Sequence, residues 1–254
     1  MTDLWLWPDD TVADERIVTP PPRAARNVTR PVLRPGPLAA EGGPAVVLCP
    51  GGGFHLLSLD TEGHELADLL AGQGIASYVL EYRLIATPPD EAAFGVRLME
   101  VLGDRDELHR LIEEHRPVFR ADGERAVELL RERHDRVAVV GFSAGGILAA
   151  DLAALPSGPS RPDAVACVYT PSGVPSSAPV DAPPLFLLAA ADDPLGVTGS
   201  FDLQRAWTAA GRAVDLHLFA YGGHGFGTTP TGFPVDAWPG LLTTWLLAEG
   251  FGRR

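Results

Sequence analysis

Apolar positions along this chain fall into two kinds of run. Ala45-Val-Val-Leu-Cys49, the stretch from Ala76 to Arg83 and Val137-Ala-Val-Val140 are short and mostly continuous, without a polar face, as in strands buried on both sides of a sheet. Between them apolar residues recur at helical spacing. Leu66, Leu69 and Leu70 follow Thr61, the expected N-cap, and Gly72 and Gly74 supply a stop; Ala126, Val127, Leu129 and Leu130 mark a helix before the third strand. Further strands are expected at 164–169, 185–190 and 214–219, with helices after Ser143, near 201–210 and at 241–247. Strand then helix, repeated, predicts an α/β fold whose central sheet is mostly parallel and covered by helices on both faces.

Two stretches depart from this alternation. The first 44 residues are rich in Pro and Arg, with short edge strands expected at 16–19 and 27–30. Between Tyr82-Arg83-Leu84 and the helix near Arg125, Phe94, Leu98 and Leu102, then Leu108, Leu111 and Ile112, are spaced as an inserted helical pair over about 90–120. Strand-to-helix loops in open α/β sheets border the ligand crevice, so a cap over the site is expected, the alternative being a peripheral pair on the sheet edge.

Length and composition narrow the picture. With 254 residues, 46% of them apolar, the chain has enough material for one large core, read as a single domain over 1–254. The net charge of −13 disfavours nucleic acid and anionic membranes as partners. No apolar run is long enough to span a bilayer, and acids stand near the N-terminus where a secretory signal carries Lys or Arg, so a soluble, cytoplasmic protein is expected. Cys49 and Cys167 lie in core-strand patterns and are expected as free thiols. Oligomeric state leaves no mark in the sequence.

The chemistry gathers after the third strand. Gly141-Phe-Ser143-Ala-Gly145 joins an apolar strand to an Ala-rich helix, and a turn this sharp leaves no room for Cβ atoms two residues either side of the serine. Ser143 is the expected nucleophile. A hydroxyl needs a base held by a carboxylate, and on such sheets the order is Ser, acid, His. Of the two histidines downstream, His217 alternates within a strand, whereas His224 lies in the loop Tyr221-Gly-Gly-His-Gly-Phe-Gly227 and is the expected base. Asp192 and Asp193 both stand at the end of a core strand, and either is placed to hold the imidazole. The amide of Ala144, at a helix N-terminus, and those of the loop Gly51-Gly52-Gly53 are expected to face the developing oxyanion. No Gly-Lys-Ser/Thr or Gly-x-Gly-x-x-Gly spacing points to a nucleotide, and the histidines lack metal-ligand spacing, so neither cofactor nor metal is expected.

Taken together, Leu6-Trp-Pro8, Cys49-Pro-Gly-Gly-Gly-Phe54, Glu62-Gly63, Glu81-Tyr-Arg-Leu84, the Ser143 elbow, Asp192-Asp-Pro-Leu195 and Gly223-His-Gly-Phe-Gly227 resemble the acetylxylan-esterase-like and feruloyl-esterase-like branch of the α/β-hydrolases, related to hormone-sensitive-lipase-type esterases. The resemblance implies a triad of Ser143, Asp193 and His224 and oxyanion donors Gly52, Gly53 and Ala144. Pro50 in place of the lipase-type His favours the acetylxylan-esterase-like branch, while the long insertion sets this chain apart. The expected activity is hydrolysis of a small-molecule ester with a short acyl group, a carbohydrate being one candidate alcohol. Phe54 and Phe226, beside the oxyanion loop and the base, are expected to narrow the acyl pocket. The same triad also serves peptidases of the prolyl-oligopeptidase type, and a non-catalytic binding protein is a further alternative on this fold. Dienelactone hydrolases are expected to carry Cys at position 143, and dehalogenases and epoxide hydrolases Asp; on that ground serine excludes them.

Overall fold

The computed structural model describes residues 2–8 and 12–252. Its main sheet has eight strands: β1 (Leu4–Trp5), β2 (Val32–Pro35), β3 (Pro44–Cys49), β4 (Ala76–Glu81), β5 (Arg136–Phe142), β6 (Ala164–Val168), β7 (Leu185–Ala190) and β8 (Val214–Phe219). Their spatial order is β1-β2-β4-β3-β5-β6-β7-β8, with the β1–β2 and β2–β4 pairings antiparallel and every pairing from β4 to β8 parallel. Every residue of β4, β6 and β7 is buried, as the continuous apolar runs require when helices cover both faces. The helices are α1 (Glu65–Gly72), α2 (Glu91–Gly103), α3 (Arg105–Arg131), α4 (Ala144–Ala153), α5 (Gly196–Ala209) and α6 (Trp238–Ala248). No helix among the described residues is long and apolar enough to cross a membrane.

The N-terminal stretch differs from expectation. No strand forms at 27–30, because Asn27 takes a left-handed φ of 54° and its side-chain amide pairs with Thr87, donating to the carbonyl at 3.0 Å and accepting from the amide at 2.8 Å. The strand of this region is β2 instead, in the main sheet. A small second sheet joins Ile17–Val18, Ala24–Arg26 and Leu57–Ser58. Thr61 does not cap α1: it lies inside a π-helical turn, Asp60–His64, that leads directly into the helix.

The insertion is helical, capped by Asp90, which accepts from the Ala93 amide at 2.9 Å, and by Asp104, which accepts from the Asp106 and Glu107 amides. Its second helix does not stop before the helix expected near Arg125. The two are one, α3, running 27 residues through Pro117. Proline removes one hydrogen bond and crowds the preceding turn, but Phe119 stacks on Phe54 at 4.0 Å between ring centroids, and buried Asp122 pairs with Arg83 at 2.6 Å. These contacts pin the helix just past the weak point.

Candidate active site

Strand β5 ends at Phe142 and α4 begins at Ala144, so the direction of the chain reverses within one residue. Ser143 has φ 49° and ψ −115°, a strained conformation for a residue with a side chain, and it lifts the hydroxyl above the end of the sheet. The two flanking glycines are required sterically. A Cβ on Gly141 would collide with the Gly145 carbonyl, and one on Gly145 with the carbonyls of Cys49 and Pro50.

His224 comes from the loop after β8, where Gly223 and Gly225 both take positive φ. Its Nε2 lies 2.8 Å from Ser143 Oγ and its Nδ1 lies 2.8 Å from Asp193 Oδ2. With the ring hydrogen on Nδ1 donated to Asp193, the lone pair of Nε2 faces the serine hydroxyl, the arrangement that general-base activation needs. Asp193 is fully buried. Burial alone would raise its pKa, but the hydrogen bond from His224 and those from the Leu195 and Gly196 amides outweigh it and hold the carboxyl below its ordinary range. The neighbouring carboxylate turns elsewhere: Asp192 accepts the Gly223 amide at 2.8 Å and the Gly222 amide at 3.4 Å, bracing the histidine loop from outside.

A cavity of about 520 Å³ opens over Ser143 and His224, and Gly52, Gly53 and Ala144 line it. The amides of these three residues donate to no other group among the described residues. The inserted helices supply a wall: Leu98 and Leu102 from α2, Leu108, His109 and Ile112 from α3. Leu56 and Leu195 add further apolar surface. The insertion therefore contributes residues to the cavity lining.

Phe54 and Phe226, expected to narrow the acyl pocket, lie outside the cavity lining. Phe54 takes a positive φ of 62°, which turns its ring away from the cavity into a fully buried stack with Phe119 and Tyr82. Phe226 is 6% exposed and packs edge-on against Tyr169, with ring centroids 4.6 Å apart. Both are core residues that shape the loops carrying the site.

Glu62 was not read from the sequence as a site residue. It is 4% exposed and touches the same cavity, accepting the Gly51 amide at 2.6 Å and the Tyr169 hydroxyl at 2.6 Å. Burial pushes its carboxyl pKa up, against the opposing pull of these two hydrogen bonds. The signals available in the sequence were an acid nine residues after Gly53, which a solvated helix start explains equally well, and Glu62-Gly63 as one motif of the family resemblance, which assigned it no role. Among the described residues no three His, Cys, Asp or Glu side chains gather as metal ligands.

The sequence profile of the dienelactone hydrolase family matches residues 67–237, a span that contains Ser143, Asp193 and His224. The chain belongs to this family. Its membership corrects the exclusion drawn from Ser143: a serine at the elbow does not set a chain outside the dienelactone hydrolase family. An acetylxylan esterase of Xylanibacter ruminicola is 27% identical over 218 residues, which is 73% of this chain and 41% of that protein. This member of the family therefore spans well under half of that relative's length. Among solved structures, an acetyl ester-xyloside bifunctional hydrolase from Caldicellulosiruptor lactoaceticus superposes with a TM-score of 0.68 at 21% identity, covering 99% of this chain and 97% of that one. MGS-M1, an α/β hydrolase from a Medee basin deep-sea metagenome library, superposes with a TM-score of 0.66 at 20% identity, over 98% and 96% of the two chains. The fold of this dienelactone hydrolase family member is the α/β-hydrolase fold.

Proposed function

We propose that this chain is a serine esterase that hydrolyses short-chain carboxylic esters, acetyl or similar in size, through an acyl-enzyme. The observation that carries this reading is the unbroken relay from Ser143 Oγ through His224 to buried Asp193, with both links at 2.8 Å. In the proposed reaction His224 Nε2 takes the proton as Ser143 Oγ attacks the ester carbonyl, and Asp193 stabilises the imidazolium. The carbonyl oxygen, now negative, accepts from the amides of Gly52, Gly53 and Ala144, the last helped by the α4 dipole. His224 then returns its proton to the leaving alcohol. Water repeats the sequence on the acyl-enzyme and releases the carboxylic acid. Of the two acids at the strand end, Asp193 is the one this reading requires, since Asp192 is occupied with the amides of the histidine loop.

The resemblance to an acetylxylan esterase supports a short acyl group. For the alcohol, the leucine-rich wall from α2 and α3 supports an alkyl or aryl group, because Leu98, Leu102, Leu108 and Ile112 offer dispersion contacts and no hydrogen bonds to hydroxyls. A second reading, an acetylated carbohydrate, is favoured by the same relative. Two measurements on the purified protein test the proposal: labelling by an organophosphonate in wild type and Ser143→Ala, and kcat/KM for acetyl, butyryl and octanoyl esters of one alcohol. Labelling confined to wild type and an optimum at acetyl or butyryl are expected. Equal labelling of the variant, or an optimum at octanoyl, would contradict it.

A further inference from the structure

We propose that Glu62 is a positioning residue for this reaction, the carboxylate that fixes the oxyanion loop and the histidine loop in one frame around Ser143. The inference rests on the serine-esterase reading and adds to it a residue outside the triad. Both carboxylate oxygens are engaged. Oε2 accepts from the Gly51 amide at 2.6 Å, one residue before Gly52, and Oε1 accepts from the Tyr169 hydroxyl at 2.6 Å. The same Tyr169 oxygen accepts the Gly227 amide at 3.2 Å, three residues after His224. One side chain thus connects the backbone that carries the oxyanion donors to the backbone that carries the base.

The surroundings make this link stiff. Glu62 sits in the π-helical turn Asp60–His64, and the carbonyl of Thr61 in that turn accepts from both the amide of Thr228, at 3.0 Å, and its hydroxyl, at 3.1 Å. Gly227 is pressed so closely on Thr61 that a Cβ there would meet its carbonyl at 2.7 Å. On the other side, a Cβ on Gly51 would lie 2.8 Å from Ser143 Cβ and 3.0 Å from Glu62 Oε2. Tyr169 is fully buried, and its ring meets the His224 imidazole edge-on at 5.1 Å between centroids. Burying a carboxylate is costly, and here both partners are donors that would be left unsatisfied by an apolar residue of equal size. A charged acceptor also makes each hydrogen bond shorter and stronger than a neutral one. Since donors to an oxyanion act only within a few tenths of an ångström of their position, holding Gly51 in place holds the Gly52 and Gly53 amides on target.

The chosen variants are Glu62→Gln, which keeps the shape but turns one acceptor into a donor facing a donor, and Tyr169→Phe, which keeps the ring and deletes the hydroxyl. Turnover is measured per active site, titrated with an organophosphonate, together with KM, the melting temperature and the inhibition constant of a trifluoromethyl ketone that forms a tetrahedral oxyanion at Ser143. For Glu62→Gln a loss of about 10- to 100-fold in kcat per titrated site is expected, with KM within about threefold and ketone affinity falling in parallel. Tyr169→Phe should shift the same quantities in the same direction by about tenfold. A purely structural role would instead lower the melting temperature and the number of titratable sites, leaving turnover per site within twofold of wild type, and that result overturns the proposal. If Glu62→Gln does not fold, unchanged turnover per site in Tyr169→Phe overturns it. A wild-type protein with no activity on any ester and no labelled Ser143 overturns the esterase reading as well, whereas an active wild type with unaffected variants overturns the positioning role alone.

Discussion

Around Ser143 the backbone has almost no freedom, whereas the inserted helices that face it across the cavity are held by side chains alone, a few polar anchors and buried Phe94 and Val101. At the elbow, the positions of Gly141 and Gly145 admit no side chain, and Ser143 is bonded through its amide to the Val168 carbonyl at 3.0 Å. Across the cavity, α2 is tied down by Arg26, which donates to the Pro89 carbonyl at 2.8 Å, pairs with Glu91 at 2.5 Å and lies over the Phe94 ring at 4.7 Å. The first half of α3 is tied by Arg116, which donates to the Gly173 carbonyl at 2.6 Å, and by His115, which meets the Arg83 carbonyl at 3.1 Å. Val96 and Met99 on α2 are 60% and 72% exposed. On the proposed esterase reading the difference separates two properties of the site: backbone geometry holds the reacting groups, and side chains on the inserted helices bear on selectivity.

Loss of Ser143, the nucleophile of the proposed reaction, gives the largest expected effect. Ser143→Ala and His224→Ala should each lower kcat by roughly 10⁴- to 10⁶-fold, and the double variant should lose little more, because the two act as a unit. Steady-state assays with a short acyl ester measure this. Retention by Ser143→Ala of a tenth of wild-type activity would remove the chemical half of the comparison.

Next in size is the contrast between adjacent acids. Asp193→Asn removes the acceptor that fixes the tautomer of His224 and should cost about 10³- to 10⁴-fold in kcat. Asp192→Asn should cost less than about tenfold, since a side-chain amide oxygen still accepts from the Gly223 amide that Asp192 now meets at 2.8 Å. A larger loss at 192 than at 193 would reverse the assignment.

The same division governs what the sequence disclosed. The core strands were legible because strands buried on both faces carry unbroken apolar runs, and the elbow because its steric demand writes glycine at 141 and 145. His224 was legible from chain order and from the glycines beside it, whereas chain order left Asp192 and Asp193 open and only the family resemblance implied Asp193. Other features depend on pairings far apart in sequence. Short β1 and β2 exist through their partners, Leu4 opposite Leu33 and Val32 opposite Glu81, and no local period marks them. The unbroken α3 depends on Phe119 and Asp122 meeting residues 54 and 83 across the fold, which overrides the local effect of Pro117. Phe54 looked like a pocket residue from its neighbours in sequence, but its positive φ sends the ring into the core.

A smaller effect is expected where selectivity resides. Leu102→Ser and Ile112→Ser remove apolar surface from the cavity wall without touching the relay. Discrimination in kcat/KM between the acetyl esters of 1-naphthol and of methanol should fall by about tenfold, the scale of one or two methylenes of hydrophobic contact. Activity on methyl acetate itself should stay within about threefold. A peracetylated xyloside measured beside them sharpens the comparison, since a gain on that substrate in the serine variants would favour the carbohydrate reading for the natural alcohol.

The smallest effect concerns the seam between the two regions. Asp151 lies on α4, the helix that follows Ser143, is 6% exposed, and its nearest cation is Arg116 of α3, 3.4 Å away, the residue that also anchors α3 to Gly173. Burial raises the Asp151 pKa to about 6 in spite of Arg116, and one oxygen of the carboxylate has no hydrogen-bond partner. Because the folded pKa stands above the unfolded value, the folded state holds more protons between about pH 4 and pH 6, so stability falls as pH rises through that window. Realised in full, the shift corresponds to about 3 kcal/mol above pH 6. Asp151→Asn abolishes this titration. Its melting temperature should match wild type near pH 4 and exceed it at pH 7.5 by roughly 2 to 8 °C. Thermal denaturation of both proteins across pH 4–8 measures the gap. If Asp151→Asn is instead less stable at pH 7.5 than wild type, the Arg116–Asp151 pair is a net stabilising bridge, and α3 is joined to α4 by charge.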